Sequence, residues 1–212
     1  MTARIEKVVT SGTFSLDGQD FPVDNNVWLL GDDHEVLVID AAHDPEAILA
    51  AVGGRRLSAI VCTHGHNDHI NAAPQVAGAT GAEVLMHPAD QVLWRMIYPD
   101  TLPDGDLADE EVIEIAATPL RVLHTPGHSP GSVCLYAPAL RAVFSGDTLF
   151  HGGPGATGRS YSDHSAIIAS IRGRLMDLPP DTVVHTGHGE DTSIGAESRR
   201  LAGVPAAEPG GG

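Results

Sequence analysis

The string "THGHNDH", residues 63–69, sets His64, His66, Asp68 and His69 in one short stretch directly behind the apolar run "LSAIVC". Imidazoles that close repel one another when protonated and need partners when neutral, and a metal ion resolves both difficulties. Three later segments carry further donors: His128 in "HTPGHSPGS", Asp147 in "FSGDTLF" and His188 in "VVHTGHGE". Neutral imidazole and carboxylate suit zinc, and also iron or manganese. Five histidines and two aspartates exceed one tetrahedral site but match two divalent ions, with a short carboxylate able to reach both. Two such ions about 3.5–4 Å apart can share a hydroxide nucleophile.

The elements around these residues predict how they are brought together. His128, Asp147 and His188 each follow or open an apolar, strand-like run and lie beside glycine, which lets the chain turn and present a side chain to a cleft at a strand end. "NVWLLGDDHEVLVIDAA" reads as a hairpin, and the preceding "SLDGQDFPVDN" as turn-rich. "DPEAILAAV" reads as a helix with Asp44 as N-cap and Pro45 at its first position. "LSAIVC" and "AEVLMH" read as strands, "NAAPQVAGATG" as a helix ended by glycine, and "PADQVLWRMIY" as another helix. Short strands follow around 112–115, 118–124, 131–136 and 141–146, then an amphipathic helix over 163–176 opened by Asp163. "TVVHTG" reads as the last strand, and 193–202 as a final short helix. Strands alternating with helices in both halves indicate α/β layers. At 212 residues one domain is expected, over 1–203, with a flexible tail over 204–212.

The formal charge of −16 argues against a nucleic-acid partner, whose phosphates call for clustered Lys and Arg, and against an anionic membrane surface. No stretch approaches the roughly 20 apolar residues that span a bilayer, and no secretory signal is visible. Cys62 and Cys134 sit inside apolar runs and read as buried free thiols, which suits a reducing cytoplasm. Of the remaining histidines, His34, His43, His87, His164 and His185 read as structural, while His124 and His151 neighbour ligand segments and read as supports for them.

The pattern His-x-His-x-Asp-His, followed by His128, Asp147 and His188, resembles the metallo-β-lactamase superfamily over nearly the whole chain. The resemblance implies an αββα sandwich, two mixed β-sheets face to face with helices outside. It implies a first ion on His64, His66 and His128, a second on Asp68, His69 and His188, and Asp147 as the bridge. Asp40, ending "VLVID", matches a supporting aspartate of the superfamily.

Within the superfamily, "TPGHSPGS" and "GDTLF" are most similar to the glyoxalase II-like branch, which hydrolyses thioesters of small thiols. The common secreted β-lactamases carry cysteine where this chain has Asp147, and the nucleases need a basic approach surface or extra domains. Two departures from glyoxalase II stand out. The chain runs only from 188 to 212 after its last ligand, without the helical region that helps bind glutathione in the long form. Gly158-Arg159 also comes later than the family pattern, behind "HGGPGATG". That insertion reads as a glycine-rich loop at the cleft rim, with Arg159 meeting either an anionic substrate group or a nearby acid such as Asp163.

The expected reaction is attack of a metal-bridging hydroxide on a thioester carbonyl, with Asp68 or Asp147 holding the nucleophile's remaining hydrogen. A thiolate leaves without a dedicated acid, since its conjugate acid has a pKa near about 8.5. The expected substrate is a small-molecule acyl-thiol, the expected state a monomer or small homo-oligomer. Persulfide dioxygenases resemble the same branch and would use one iron on His64, His128 and Asp147. Lactone hydrolysis by the same hydroxide is a third possibility. A non-catalytic binding module predicts loss of ligands, yet all seven positions are filled.

Overall fold

Apolar residues alternate faces along the early strands. In the computed structural model, which describes residues 3–203, that alternation builds two sheets. The first sheet runs in the order β1 (Arg4–Leu16), β2 (Gln19–Gly31), β3 (Glu35–Ile39), β4 (Arg56–Cys62), β5 (Glu83–Met86), β6 (Gly105–Asp106). Its first two pairings are antiparallel and the next three parallel. The second sheet contains β7 (Val112–Ile115), β8 (Thr118–His124), β9 (Val133–Ala137) and β10 (Ala142–Gly146). β11 (Leu149–Phe150) and β12 (Gly153–Pro154) form a small ribbon of their own, and β13 (Val183–Thr186) and β14 (Thr192–Ser193) complete the second sheet. Its order is β14-β13-β10-β9-β8-β7, antiparallel throughout except for β10 against β13.

Three clusters of buried residues define the layers. Trp28, Leu30, Leu37, Ile39 and Val61 of the first sheet meet Leu120, Val122, Leu135 and Phe144 of the second, so the sheets pack face to face. The alternate residues, Val27, Leu29, Val36, Val38 and Ile60, point outward beneath α1 (Pro45–Val52) and α3 (Ala73–Thr80). On the opposite side Cys134, Val143 and Val184 lie beneath α5 (His164–Ser170) and α6 (Ile194–Leu201). Strands covered on both faces read as continuous apolar runs, which is how they appear in the sequence. Each fully buried Leu, Ile or Phe contributes about 1.5–3 kcal/mol. This is the expected αββα order of two mixed sheets flanked by helices.

Local signals account for most boundaries. Asp44 caps α1 by accepting from Ala47 N at 3.0 Å, and α3 stops at Gly81, which takes the left-handed conformation. Two short helices, α2 (Asn67–Ile70) and α4 (Gln91–Ile97), complete the set. The stretch 15–25 is strand rather than turn on both sides of Asp17-Gly18. Those two residues, at φ 53° and 71°, make a two-residue reversal that matches strand twist, so β1 and β2 pair without interruption from Arg4–Gly31 to Leu16–Gln19. The helix expected over 163–176 divides: α5 passes into a wider turn over Ile171–Leu175, closed by Met176 N on Ile171 O at 3.0 Å. That turn lets Ile171 and Leu175 both reach the outer core. The expected tail, 204–212, lies outside the described residues. Among the described residues, no helix is long and apolar enough to cross a membrane.

Candidate metal centre

The donors gather where strands of both sheets end. His64 and His66 follow the carboxyl end of β4, and Asp68 and His69 lie in the single turn of α2. His128 comes from the loop between β8 and β9, Asp147 directly follows β10, and His188 follows β13. The structure brings all seven together. Donor atoms of His64, His66 and His128 lie within 4.8 Å of one another, as do those of His64, His69 and Asp147, and those of Asp68, His69 and His188.

The outward nitrogen of each ring reveals the state of the inward one. His128 Nδ1 lies 2.8 Å from the Ala156 carbonyl and His188 Nδ1 2.7 Å from the Asp24 carbonyl. A carbonyl only accepts, so both Nδ1 atoms carry a hydrogen, and in the neutral ring each Nε2 turns a lone pair inward. Asp40 accepts from Thr63 N at 2.7 Å and from Thr63 Oγ1 at 2.8 Å, and faces His69 Nδ1 at 3.0 Å. In its neutral form His69 likewise presents a lone pair on Nε2, the nitrogen whose proton a cation would displace. Thr63 Oγ1, having given its hydrogen to Asp40, accepts from His64 Nδ1 at 3.2 Å, which leaves His64 Nε2 a lone pair too.

These lone pairs converge. His66 Nδ1 is 3.0 Å from both His64 Nε2 and His128 Nε2, and one proton there serves only one of them. His69 Nε2 and His188 Nε2 face each other at 3.2 Å, beside Asp68 Oδ2 at 3.6 and 3.4 Å. Asp147 stands between the groups, 3.3 Å from His69, 3.5 Å from His128 and 3.4 Å from His188. Asp68 Oδ1, Asp147 Oδ1 and His66 Nε2 are buried without a hydrogen-bond partner. Converging lone pairs and partnerless carboxylate oxygens fit divalent cations.

The electrostatics divide the cluster. Burial, joined by the neighbouring imidazoles, pushes His64 well below its usual range and His66 down to about 3, so those two rings stay uncharged. Burial also opposes protonation of His69 and His188, but carboxylates outweigh it. Asp147, Asp68 and Asp40 hold His69 up at about 9, and Asp147 and Asp68 hold His188 at about 11. Asp147 is held well below its usual value by His69, His188 and His128, against its own burial.

Surrounding residues keep the donors in place. Asn26 N donates to Gly187 O and its Nδ2 to Gly189 O, tying the His188 loop to β2. A Cβ on Gly187 would fall 2.3 Å from Asp147 Oδ1 and 2.8 Å from His69, so only glycine fits there. A cavity of about 150 Å³ opens on the cluster, lined by Phe14, Val23, Asp68, His128, Asp147, Ala156 and His188.

Arg159 is not among the lining residues. Its guanidinium lies over the rings of Phe21 (4.6 Å) and Phe14 (5.7 Å) and donates to Gln19 Oε1, while Asp163 caps α5. The glycine-rich loop is thereby fastened to the β1–β2 hairpin rather than to an acid on its own helix. His124 supports the His128 loop, with Nε2 2.9 Å from Pro130 O, whereas His151 faces Arg200 away from the cluster.

Asp90 escapes notice in the sequence, where "HPADQV" shows only the start of a helix. It is fully buried and accepts from Gly65 N (2.8 Å), Ser129 Oγ (2.6 Å) and Gly131 N, joining the His64–His66 loop to the His128 loop. A Cβ on Gly131 would fall 2.7–2.8 Å from it. The only trace of this in the sequence is a glycine beside each ligand.

Comparison with known proteins agrees with this geometry. A family model described as the metallo-beta-lactamase superfamily matches residues 20–188. Hydroxyacylglutathione hydrolase GloC of Haemophilus influenzae is 31% identical over 190 residues, covering 82% of this chain and 90% of that one. The crystal structure of the B3 metallo-beta-lactamase BLEG-1 superposes with a TM-score of 0.77 at 30% identity, over 90% of this chain and 97% of the other. That of TTHA1623 in a di-iron-bound form gives 0.74 at 34% identity, over 90% and 98%.

Proposed function

The chain belongs to the metallo-β-lactamase superfamily, and from that premise we propose that it is a dinuclear metal-dependent hydrolase cleaving thioesters of a small thiol. The observation that carries the reading is the pair of lone-pair clusters with Asp147 between them. His64, His66 and His128 would hold one divalent ion, Asp68, His69 and His188 the other, and Asp147 both. Zinc is the first candidate, with iron or manganese served by the same donors. When bound, such a pair lowers the pKa of a shared water towards about 7 and polarises a carbonyl oxygen.

The protein's own groups supply the rest. Asp68 or Asp147, each with a buried and partnerless Oδ1, would accept the remaining hydrogen of the attacking water and so aim its lone pair at the substrate carbon. Phe14, Val23 and Ala156 give the cavity apolar walls that exclude bulk water and receive an acyl group. A departing thiolate, with a conjugate acid near about 8.5, needs no protonation, and the lining residues offer no side chain beyond the ligands to provide it. The similarity to a hydroxyacylglutathione hydrolase supports a thioester as substrate. The buried thiols Cys62 and Cys134 suit a cytoplasmic enzyme.

Elemental analysis of natively expressed protein, followed by turnover assays, tests the reading. About two ions per chain are expected, together with hydrolysis of glutathione or other low-molecular-weight acyl-thiols at kcat/KM above about 10⁴ M⁻¹ s⁻¹. Close to one iron per chain, with oxygen consumed on persulfides and no thioester turnover, would overturn it. So would turnover of β-lactams or lactones alone.

A further inference from the structure

His43 reads in the sequence as a structural histidine, yet its ring stands two hydrogen bonds from Asp68. The polarity of that path is fixed from one end by a group that cannot be reversed. The His43 backbone N–H donates to Asn71 Oδ1 at 2.6 Å, so the other arm of that carboxamide, Nδ2, is the donor to His43 Nδ1 at 2.9 Å. Nδ1 is then an acceptor, and the ring hydrogen resides on Nε2, which donates to Asn25 Oδ1 at 2.9 Å. Asn25 is fully buried, and its remaining arm, Nδ2, points at Asp68 Oδ2 (3.2 Å) and lies 3.3 Å from His69 Nε2. The far end agrees, since a carboxylate can only accept.

The ring is set deliberately into the fold. His43 takes φ 57°, a left-handed conformation that is strained for a non-glycine residue and persists only where surroundings enforce it. Gly12 of β1 makes room for it: a Cβ there would lie 2.1 Å from His43 Nδ1 and 2.4 Å from Cγ. Burial lowers the ring's pKa, in keeping with a neutral imidazole that both donates and accepts.

We propose that His43 is a positioning residue for the second group of ligands. By holding Asn25 Oδ1, its Nε2–H prevents the carboxamide from turning over and presenting an oxygen to Asp68. Asp68 Oδ2 is thereby secured beside His69 and His188. The proposal rests on reading Asp68, His69 and His188 as ligands of one ion. It asks nothing of the substrate.

Zinc titration of chelator-stripped protein against a chromophoric competitor, resolving two stepwise affinities, tests it alongside ¹⁵N NMR of the histidine rings. Two variants serve: His43→Ala, and His43→Asn, whose side chain tolerates the left-handed backbone but cannot carry the relay. The expected results are an Nε2–H tautomer for His43 in the wild type and, in both variants, a second affinity weakened about 10–100-fold with the first within about twofold. An Nδ1–H tautomer would overturn the proposal even if His43→Ala failed to fold. An unchanged second affinity in His43→Asn would do the same. If the wild type bound no second zinc, the ligand reading would fall together with the proposal. Differential zinc binding without thioester turnover would leave the proposal standing and remove the hydrolase reading alone.

Discussion

His64, His66 and His128 form a group with no carboxylate of its own, whereas His69 and His188 are joined by the carboxylate of Asp68, and the supports behind the two groups differ in the same sense. Behind the first stands Asp90, a carboxylate that never faces the cluster and works on the backbone of two loops. Behind the second, polar groups touch the donors themselves: Asp40 on His69, Asn25 on Asp68 and the Asp24 carbonyl on His188. Neutral groups, Thr63 Oγ1 and the Ala156 carbonyl, back the rings of the first group, whereas the charge of Asp40 backs the second. Asp147 is the member they share.

The largest effect should come from removing that shared member. Asp147→Ala is expected to lower thioester turnover by more than about a hundredfold, beyond what residues that only support ligands produce, and to reduce bound zinc below about two per chain. Retention of two ions by elemental analysis would show that the groups are independent.

Asp90→Asn should fall next and should be one-sided. The amide places an N–H where Gly65 N, Ser129 Oγ or Gly131 N donates, an unpaired buried donor costing about 1–3 kcal/mol. Urea unfolding should register that loss, and stepwise zinc titration should show the first affinity reduced while the second holds. Equal loss at both would erase the distinction drawn above.

A pH dependence separates the groups without mutation. His69 and His188 titrate above the ordinary value of 6.5, at about 9 and about 11. A raised folded-state pKa contributes stability in full below 6.5 and loses it as pH rises through the folded value. Chelator-stripped protein should therefore lose stability from about pH 6.5 through pH 9 and beyond, as followed by thermal melting. Zinc-loaded protein should not, because its ligands are already deprotonated. His64 and His66, held low by burial, add nothing across this window.

The smallest effect is expected at Arg159, outside both groups. Arg159→Ala should cost about 0.5–1 kcal/mol from its lost stacking on Phe14 and Phe21, with KM for acyl-thiols unchanged within about twofold. A tenfold rise in KM confined to anionic thiols would instead give Arg159 a part in binding substrate.

The same contrast explains what could be read in advance. The layers followed from runs such as Val27–Leu30 and Val36–Ile39, whose period of two is imposed by the pleat. The seven donors were legible because imidazoles and carboxylates concentrated beside glycines have few bland explanations. Asp90, Asn25 and His43 were not, because each acts on a partner distant in sequence: Asp90 on Gly131 across 41 residues, His43 on Asn25 across 18. A single Asp in "HPADQV" looks like any helix start until the fold delivers two backbone N–H groups to it. The β1–β2 hairpin is obscured in the sequence for a related reason. Asp, Gln, Pro and Asn in 17–25 suggest turns, but thirteen residues of cross-strand pairing on β1 override local preference everywhere except Asp17-Gly18.

The bond from His188 to Asp24 joins positions 164 residues apart. On the ribosome, the segment carrying His64 to His69 emerges long before β13, so Asp68 and His69 must wait for His188. Because β10 pairs with β13 in parallel, that last docking is a slow, non-local step. If the chain holds two ions, capture of the second would be the closing event of biogenesis, and a chain that stalls short of β13 would expose half a binding site. Metal supply would then act as a checkpoint on completed protein rather than as a seed for folding.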